Sequence, residues 1–439
     1  MLSGKCWSRL MAATALSCAL GVGAVAEADD AKRVDVPAGE DKAGEQAEGQ
    51  RGSQKENVGA HLYTRAQQQG RPAGLTERRA ALRAFSDKSD AEALRVVLNE
   101  ARALVDDGEV DQALGRYTHL MKVTGEGWLM IEVGATLTWY GRYSEALIHL
   151  EEGLRREPLS FQGILSVAVT RDALGQTAEA MRLYKRALMI RPDSYDARFN
   201  LGRLQYALGQ LEEAERTYRD LLGRHGGDWK SLNNLGLILL ERGQPTAAMS
   251  PLRRALKLKP KDPGALYNLG RAYTARDEHT RALSYYDRAL EEWGADDVAA
   301  VSLHFARGNA LFALRRYKES AAAYALAHEL DPESSDVLLN LGAALANQGR
   351  YEEAIQALES AVEHTARPTR VVHQIALCYM YDDKLDAALK ALERARALDG
   401  ADPMTWVLMS QVHDARGDQE ASASALAEAC RLGSKRSCR

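Results

Sequence analysis

The chain has 439 residues, 46% hydrophobic and 27% charged, an apolar share that excludes a chain unfolded from end to end. Lys+Arg 57 against Asp+Glu 61 leaves a net charge of −4, without the basic excess that binding along nucleic-acid phosphates requires. Aromatics make up 6% and alanine is abundant, a composition that predicts closely approaching helices and no sheet.

The first residues read as an address. Lys5 and Arg9 form a short positive stretch, Leu10 to Val25 is uncharged and apolar, and Ala24-Val25-Ala26 offers a small-x-small cleavage site. The apolar run is shorter than the ~20 residues of a membrane-spanning helix, so residues 1–26 are expected to be a cleaved signal peptide. Ala15-Leu16-Ser17-Cys18 is a weaker lipoprotein signal. No later stretch is long and apolar enough to span a membrane, so an exported, periplasmic or envelope-associated chain is the expectation.

Residues 27–73 carry almost no large apolar side chain and are expected to be a disordered linker. Leu75, Leu82 and Phe85 then give a short helical pattern, a possible capping helix over 74–93.

From about Ala91 one pattern recurs. Ala146, Ala180, Ala214, Ala248 and Ala282 stand 34 residues apart; Ser320, Ala354, Ala388 and Ser422 continue at the same step, and Ala113 precedes Ala146 by 33. Tyr184, Tyr218 and Tyr286 follow their alanines by four. Gly202, Gly236, Gly270 and Gly342 mark a first helix able to press on its neighbour, and Pro158, Pro192, Pro260 and Pro332 close repeats. Leu269-Gly270-Arg271-Ala272-Tyr273 gives L-G-x-x-Y, and Gly141, Gly209 and Gly349 mark the turn within a repeat.

With that period and those letters, residues 94–436 resemble the tetratricopeptide repeat family. The resemblance implies an all-α fold, a right-handed α-solenoid of about ten antiparallel helix pairs standing by nearest-neighbour stacking. Ala282 to Ser320 is 38 residues, an insertion around Asp296-Asp297-Val298-Ala299 that divides the array into repeats 1–6 (94–295) and 7–10 (300–436). Pro251 falls inside a second helix, which must kink there or start late. Trp406 stands near the start of the tenth repeat, where the family often places Trp.

After signal cleavage three cysteines remain. Cys378 lies in an apolar helical pattern and reads as core. Cys430 and Cys438 flank Leu432-Gly433, and cysteine-bridged relatives of these repeats carry a similar pair across a helix-to-helix turn. A Cys430–Cys438 disulfide sealing the C-terminal end is therefore expected in an oxidising compartment.

No catalytic motif appears: no G-x-S-x-G, Walker loop, H-E-x-x-H or C-x-x-C. His364 and His373 are close in sequence without a ligand pattern around them, and paired acids such as Glu212-Glu213 fit solvated helix termini. The expectation is a non-enzymatic chain with no cofactor or metal. By resemblance it is a scaffold binding protein partners or extended peptide segments on a concave groove in the cell envelope. Alternatives are a substrate-selecting accessory of a separate enzyme, or an outer-membrane lipoprotein assembly factor.

The candidate groove residues form a ladder. Asn200, Asn234 and Asn268 are 34 apart, and Asn340 follows by two periods plus the insertion. Ala306 breaks the register. An Asn amide can bond both C=O and N–H of a peptide unit, and the family's O-linked N-acetylglucosamine transferase array presents a similar ladder. Arg203 and Arg271, three residues further along, would favour an acidic ligand; Asn309 holds that place in the seventh repeat. The other reading of the same asparagines is that each bonds only its neighbouring helix.

Overall fold

A computed structural model describes residues 91–293 and 298–434. The expected signal peptide, linker, most of the capping helix, Cys18 and Cys438 lie outside the described residues. So do residues 294–297 of the insertion.

The described chain is all helix. The first repeat is α1 (Ala91–Asp106) with α2 (Val110–Thr124); α3 (Gly127–Trp139) pairs with α4 (Tyr143–Arg156), and α5 (Phe161–Ala173) with α6 (Thr177–Ile190). The fourth and fifth pairs are α7 (Tyr195–Ala207) with α8 (Leu211–His225), and α9 (Trp229–Glu241) with α10 (Pro245–Leu258). Then come α11 (Pro263–Thr274) with α12 (His279–Trp293), and α13 (Val298–Ala313) with α14 (Tyr317–Leu330). The last three pairs are α15 (Ser335–Ala346) with α16 (Tyr351–His364), α17 (Pro368–Tyr381) with α18 (Leu385–Leu398), and α19 (Pro403–Arg416) with α20 (Gln419–Arg431). These are 20 helices packed in pairs, as ten repeats require. The described residues divide into two compact units at Pro260/Lys261, one repeat before the insertion.

The sequence dictates where each helix starts and turns. First helices begin behind a capping side chain: Ser160, Ser194, Asp228, Asp262 and Asp402 each accept a hydrogen bond from a first-turn N–H. The turn within each repeat holds one residue at positive φ, in register from Gly108 through Gly141, Gly175, Gly209 and Gly243 to Gly349 and Gly417. In three repeats that place falls to Asp277, Arg315 and Asp383, at φ 58, 59 and 55. The left-handed region costs a non-glycine residue about 1–2 kcal/mol, so these turns are held by the helices they join.

Packing within a pair sets small against large. A Cβ on Gly270 would stand 2.4 Å from the Tyr286 ring, and one on Gly236 2.4 Å from Cγ of Leu252. Gly134, Gly202, Gly308 and Gly342 face Leu150, Tyr218, Tyr324 and Leu358 in the same way. The second-helix alanines at the 34-residue step are fully buried. Where serine replaces alanine its hydroxyl is satisfied: Ser320 Oγ donates to the Gly308 carbonyl at 2.9 Å, and Ser422 Oγ pairs with Ser410 Oγ at 2.9 Å.

Two irregularities resolve. Pro251 is buried inside a continuous α10 that starts on time at Pro245, so the helix does not begin late; its missing N–H leaves one internal bond unmade. Part of the insertion lengthens a helix: α13 has 16 residues where α11 has 12. Cys378 is buried and not disulfide-bonded, as its apolar pattern predicts. Cys430 is disulfide-bonded. Its expected partner Cys438 lies outside the described residues, and the pairing stays a proposal.

Candidate functional site: the first-helix polar ladder

The ladder asparagines fall on the first helices, and most are drawn into the packing. In the unit ending at Pro260, Asn200 is 5% exposed and Asn234 3% exposed. Asn234 Nδ2 donates to the Tyr218 hydroxyl at 2.9 Å, joining the fifth repeat to the second helix of the fourth. Tyr218 OH in turn donates to the Phe199 carbonyl at 3.3 Å. Asn200 Oδ1 is buried without a hydrogen-bond partner among the described residues. Arg203 forms an ion pair with Asp172, both side chains largely buried, and burial pulls its pKa below the usual arginine value. A charge satisfied in this way has little left for an acidic ligand.

In the unit beginning at Lys261, Asn268 is 1% exposed. Asn309 accepts from the Tyr324 hydroxyl at 2.6 Å. Arg271 is half-buried, its guanidinium 5.8 Å from the Tyr267 ring centre. Asn340 is half-buried on α15. Phe312 and Leu339 are partly exposed on α13 and α15.

A common cause runs through these contacts. Tyr117, Tyr184, Tyr218, Tyr286 and Tyr324 sit at one register of the second helix and are almost wholly buried, and burial drives all five phenols well above their ordinary pKa. Each hydroxyl must find a partner inside. Tyr117 donates to Glu132 at 3.1 Å, Tyr184 to Asp172 at 3.4 Å and Tyr324 to Asn309, while Tyr286 pairs with Thr274 at 2.9 Å. The polar first-helix residues serve the tyrosines.

Sequence reasoning missed the cluster at the front of the array. Arg102 on α1 grips both Glu132 carboxylate oxygens at 2.6 Å, beside Tyr117. The signal was present: Glu132 stands two periods before Asn200, at the ladder register.

His373 of the close histidine pair is a second buried polar site. It is 6% exposed on α17, and its Nε2 is 2.8 Å from Thr405 Oγ1, in the first turn of α19. Asp402 lies 4.0 Å from Nδ1, and the Asp399 charge also acts on the ring. Burial lowers its pKa below 6.5, outweighing the two carboxylates. A histidine with a depressed folded pKa contributes stability that is complete above its unfolded value and is lost as pH falls from about 6.5 toward the folded value. Protection factors in α19 and α20, with exchange rates corrected for their intrinsic pH dependence, should therefore fall between pH 7 and pH 5, and His373→Gln should flatten that dependence. A wild-type profile that does not change with pH over this window rules the effect out.

Among the described residues no group of three or more His, Cys, Asp or Glu is placed to hold a metal ion. No described helix is long and apolar enough to cross a membrane.

Residues 173–235, 234–297 and 305–370 match the tetratricopeptide repeat family. These residues are tetratricopeptide repeats, a class of repeat that typically serves non-catalytic protein–protein interaction. Similar solved structures include a tetratricopeptide repeat protein from Parabacteroides merdae, at 19% identity over 56% of this chain and 95% of that one, with a TM-score of 0.41. PilF of Pseudomonas aeruginosa shares 19% identity over 49% of this chain and 94% of its own, with a TM-score of 0.42. MamA from Desulfovibrio magneticus (residues 41 to the end) shares 20% over 39% and 94%, with a TM-score of 0.36. Likenesses at this level transfer neither partner nor process. No curated protein matches the chain.

Proposed function

We propose that this protein is an exported, non-catalytic scaffold of the cell envelope that holds partner proteins by an extended segment laid along its first helices. The observation that supports this reading is the repetition itself: within each unit the first helices recur at a fixed period, with asparagines at one register. In this reading the buried asparagines fix the first helices, and Asn234 is the clearest case. The ligand meets the half-buried residues of the unit beginning at Lys261: Asn340 and Arg271 for its backbone and carboxylates, Phe312 and Leu339 for its apolar side chains. The Cys430–Cys438 bridge would seal the last repeat after export.

Two measurements test it. The first is fractionation with sequencing of the mature N-terminus, expected to read from Glu27; a start at Met1 sinks the export. The second is crosslinked capture from native envelope with an Asn340→Ala/Arg271→Ala variant. It should keep wild-type helicity and weaken capture by about 1 kcal/mol per hydrogen bond lost. Undiminished capture would place the contact surface elsewhere.

A further inference from the structure

The second helices of the unit ending at Pro260 are α2, α4, α6, α8 and α10. Two adjacent positions in their last turns recur at the period of the array. In the first and fifth repeats they hold a lysine and an apolar residue, Lys122-Val123 and Lys257-Leu258. In the third both are apolar, Met189-Ile190. In the second and fourth they are Arg155-Arg156 and Gly223-Arg224. Every one of these positions is exposed and none holds an acid. The same places in the unit beginning at Lys261 carry Glu291-Glu292, Glu329 and Glu363, so the repeat itself does not impose the choice.

Three of the cations are already answered. Arg155 and Arg156 bond Glu152 at 2.7 and 2.8 Å, and Arg224 bonds Asp220 at 2.9 Å. Lys122 and Lys257 make no ion pair among the described residues. Neither do Lys185 and Arg254, exposed one turn before Met189 and Lys257. Of the acids in the connecting loops, Glu126 and Glu157 are half-buried, and Asp193 lies 3.3 Å from Arg224. Four unanswered cations therefore line this edge.

Apolar tips stand between them. Leu159 and Met189, each 76% exposed, are the most exposed large apolar side chains among the described residues. Arg186 donates to the Pro158 carbonyl, which ties the loop carrying Leu159 to the last turns of α6. Val123 and Leu258 are 53% and 56% exposed. Side chains this exposed project from the edge rather than line a pocket. A protein partner is best met by one contiguous apolar patch. A bilayer interface takes separate apolar tips one by one, while lysine stems lie along the apolar boundary and their ammonium groups stay with anionic headgroups.

We infer that this edge is a docking surface for an anionic lipid bilayer. Leu159, Met189 and Leu258 enter the interface, and Lys122, Lys185 and Lys257 face the headgroups. The surface uses none of the residues proposed to hold a partner. It does not depend on export, since a bilayer bounds either compartment.

Vesicle flotation tests this on the chain from Glu27 onward, without the apolar run of residues 10–25 that would itself enter a bilayer. The protein should bind phosphatidylcholine vesicles containing about 30% phosphatidylglycerol about tenfold more tightly than phosphatidylcholine alone. That preference should vanish in about 0.5 M salt, where the screening length is a few ångströms. Lys122→Gln/Lys257→Gln should weaken binding about fivefold for each lysine removed. Leu159→Gln/Met189→Gln should weaken it about tenfold or more. Lys318→Gln/Lys390→Gln, at exposed lysines of the other unit, should leave it unchanged. All six positions are exposed, so circular dichroism should match wild type in every variant. A chain that does not float with anionic vesicles overturns the proposal, and crosslinked capture of a soluble protein lost in the edge variants would then assign the edge to a protein partner. Equal loss in the Lys318/Lys390 variant also overturns it, because the attraction would be non-specific. So does binding that survives Leu159→Gln/Met189→Gln, which would be adsorption without entry.

Discussion

Tyr286→Ala should destabilise its own repeat by about 3–5 kcal/mol, the usual range for deleting a buried aromatic ring. Tyr286 is 1% exposed, faces the Gly270 backbone and lies 6.0 Å centre to centre from Tyr267. Gly270 cannot fill the space the ring leaves, because it has no side chain. Tyr286→Phe keeps the ring and removes only the hydroxyl shared with Thr274 at 2.9 Å, so it should lose about 1 kcal/mol. The loss should also be local, since each repeat contacts mainly its neighbours. Hydrogen exchange should show α11 and α12 opening first while α17 to α20 keep their protection. Uniform loss of protection along the chain would mean that the array unfolds as one cooperative block.

The pairing that makes Tyr286 vulnerable was half legible. The 34-residue step of alanine and the glycines of the first helix located the helices, because a strict period in small residues leaves few other packings. The sequence also pointed to the turn glycines, yet not to Asp277, Arg315 and Asp383, which take the same left-handed place without the letter that announces it. The ladder was legible as a register and not as a set of bonds. An asparagine offers donors and an acceptor in any direction, so spacing alone does not say whether its amide faces a ligand or a phenol. The buried tyrosines held the missing clue. A hydroxyl at the second-helix register needs a partner, and in the fourth repeat the nearest candidate in the pattern is the asparagine 16 residues on, Tyr218 to Asn234. Arg203 was read as a ligand contact because Asp172, 31 residues earlier, belongs to another repeat, and one-repeat reading does not bring the two together.

The same logic sets the expected result at the front of the array. Arg102→Ala should cost about 2–3 kcal/mol, below the 3–5 kcal/mol of a fully buried pair because the two side chains keep 18% and 23% exposure. The loss comes less from the vanished attraction than from what stays behind: a Glu132 carboxylate in a half-dry site, bonded there only to Tyr117 at 3.1 Å. Burial works against the Arg102 charge, and Glu132 outweighs it and raises the pKa, so the guanidinium stays charged. Replacing both partners by apolar residues of similar length, Arg102→Met with Glu132→Leu, removes the stranded charge together with its counter-ion. Because Glu132→Leu also strands the Tyr117 hydroxyl, the double variant with Tyr117→Phe added should return to within about 1 kcal/mol of wild type, and urea titration of the two singles and the double gives the coupling directly. If Arg102→Ala alone leaves stability unchanged, the ion pair is a solvated surface contact. If it falls as expected, Glu132 does for Tyr117 what Asn234 does for Tyr218. At Glu132 and Asn234 the ladder register is then where a repeat supplies a polar group to the buried tyrosine of the repeat before it, and a partner's binding energy must come from the half-exposed residues around it.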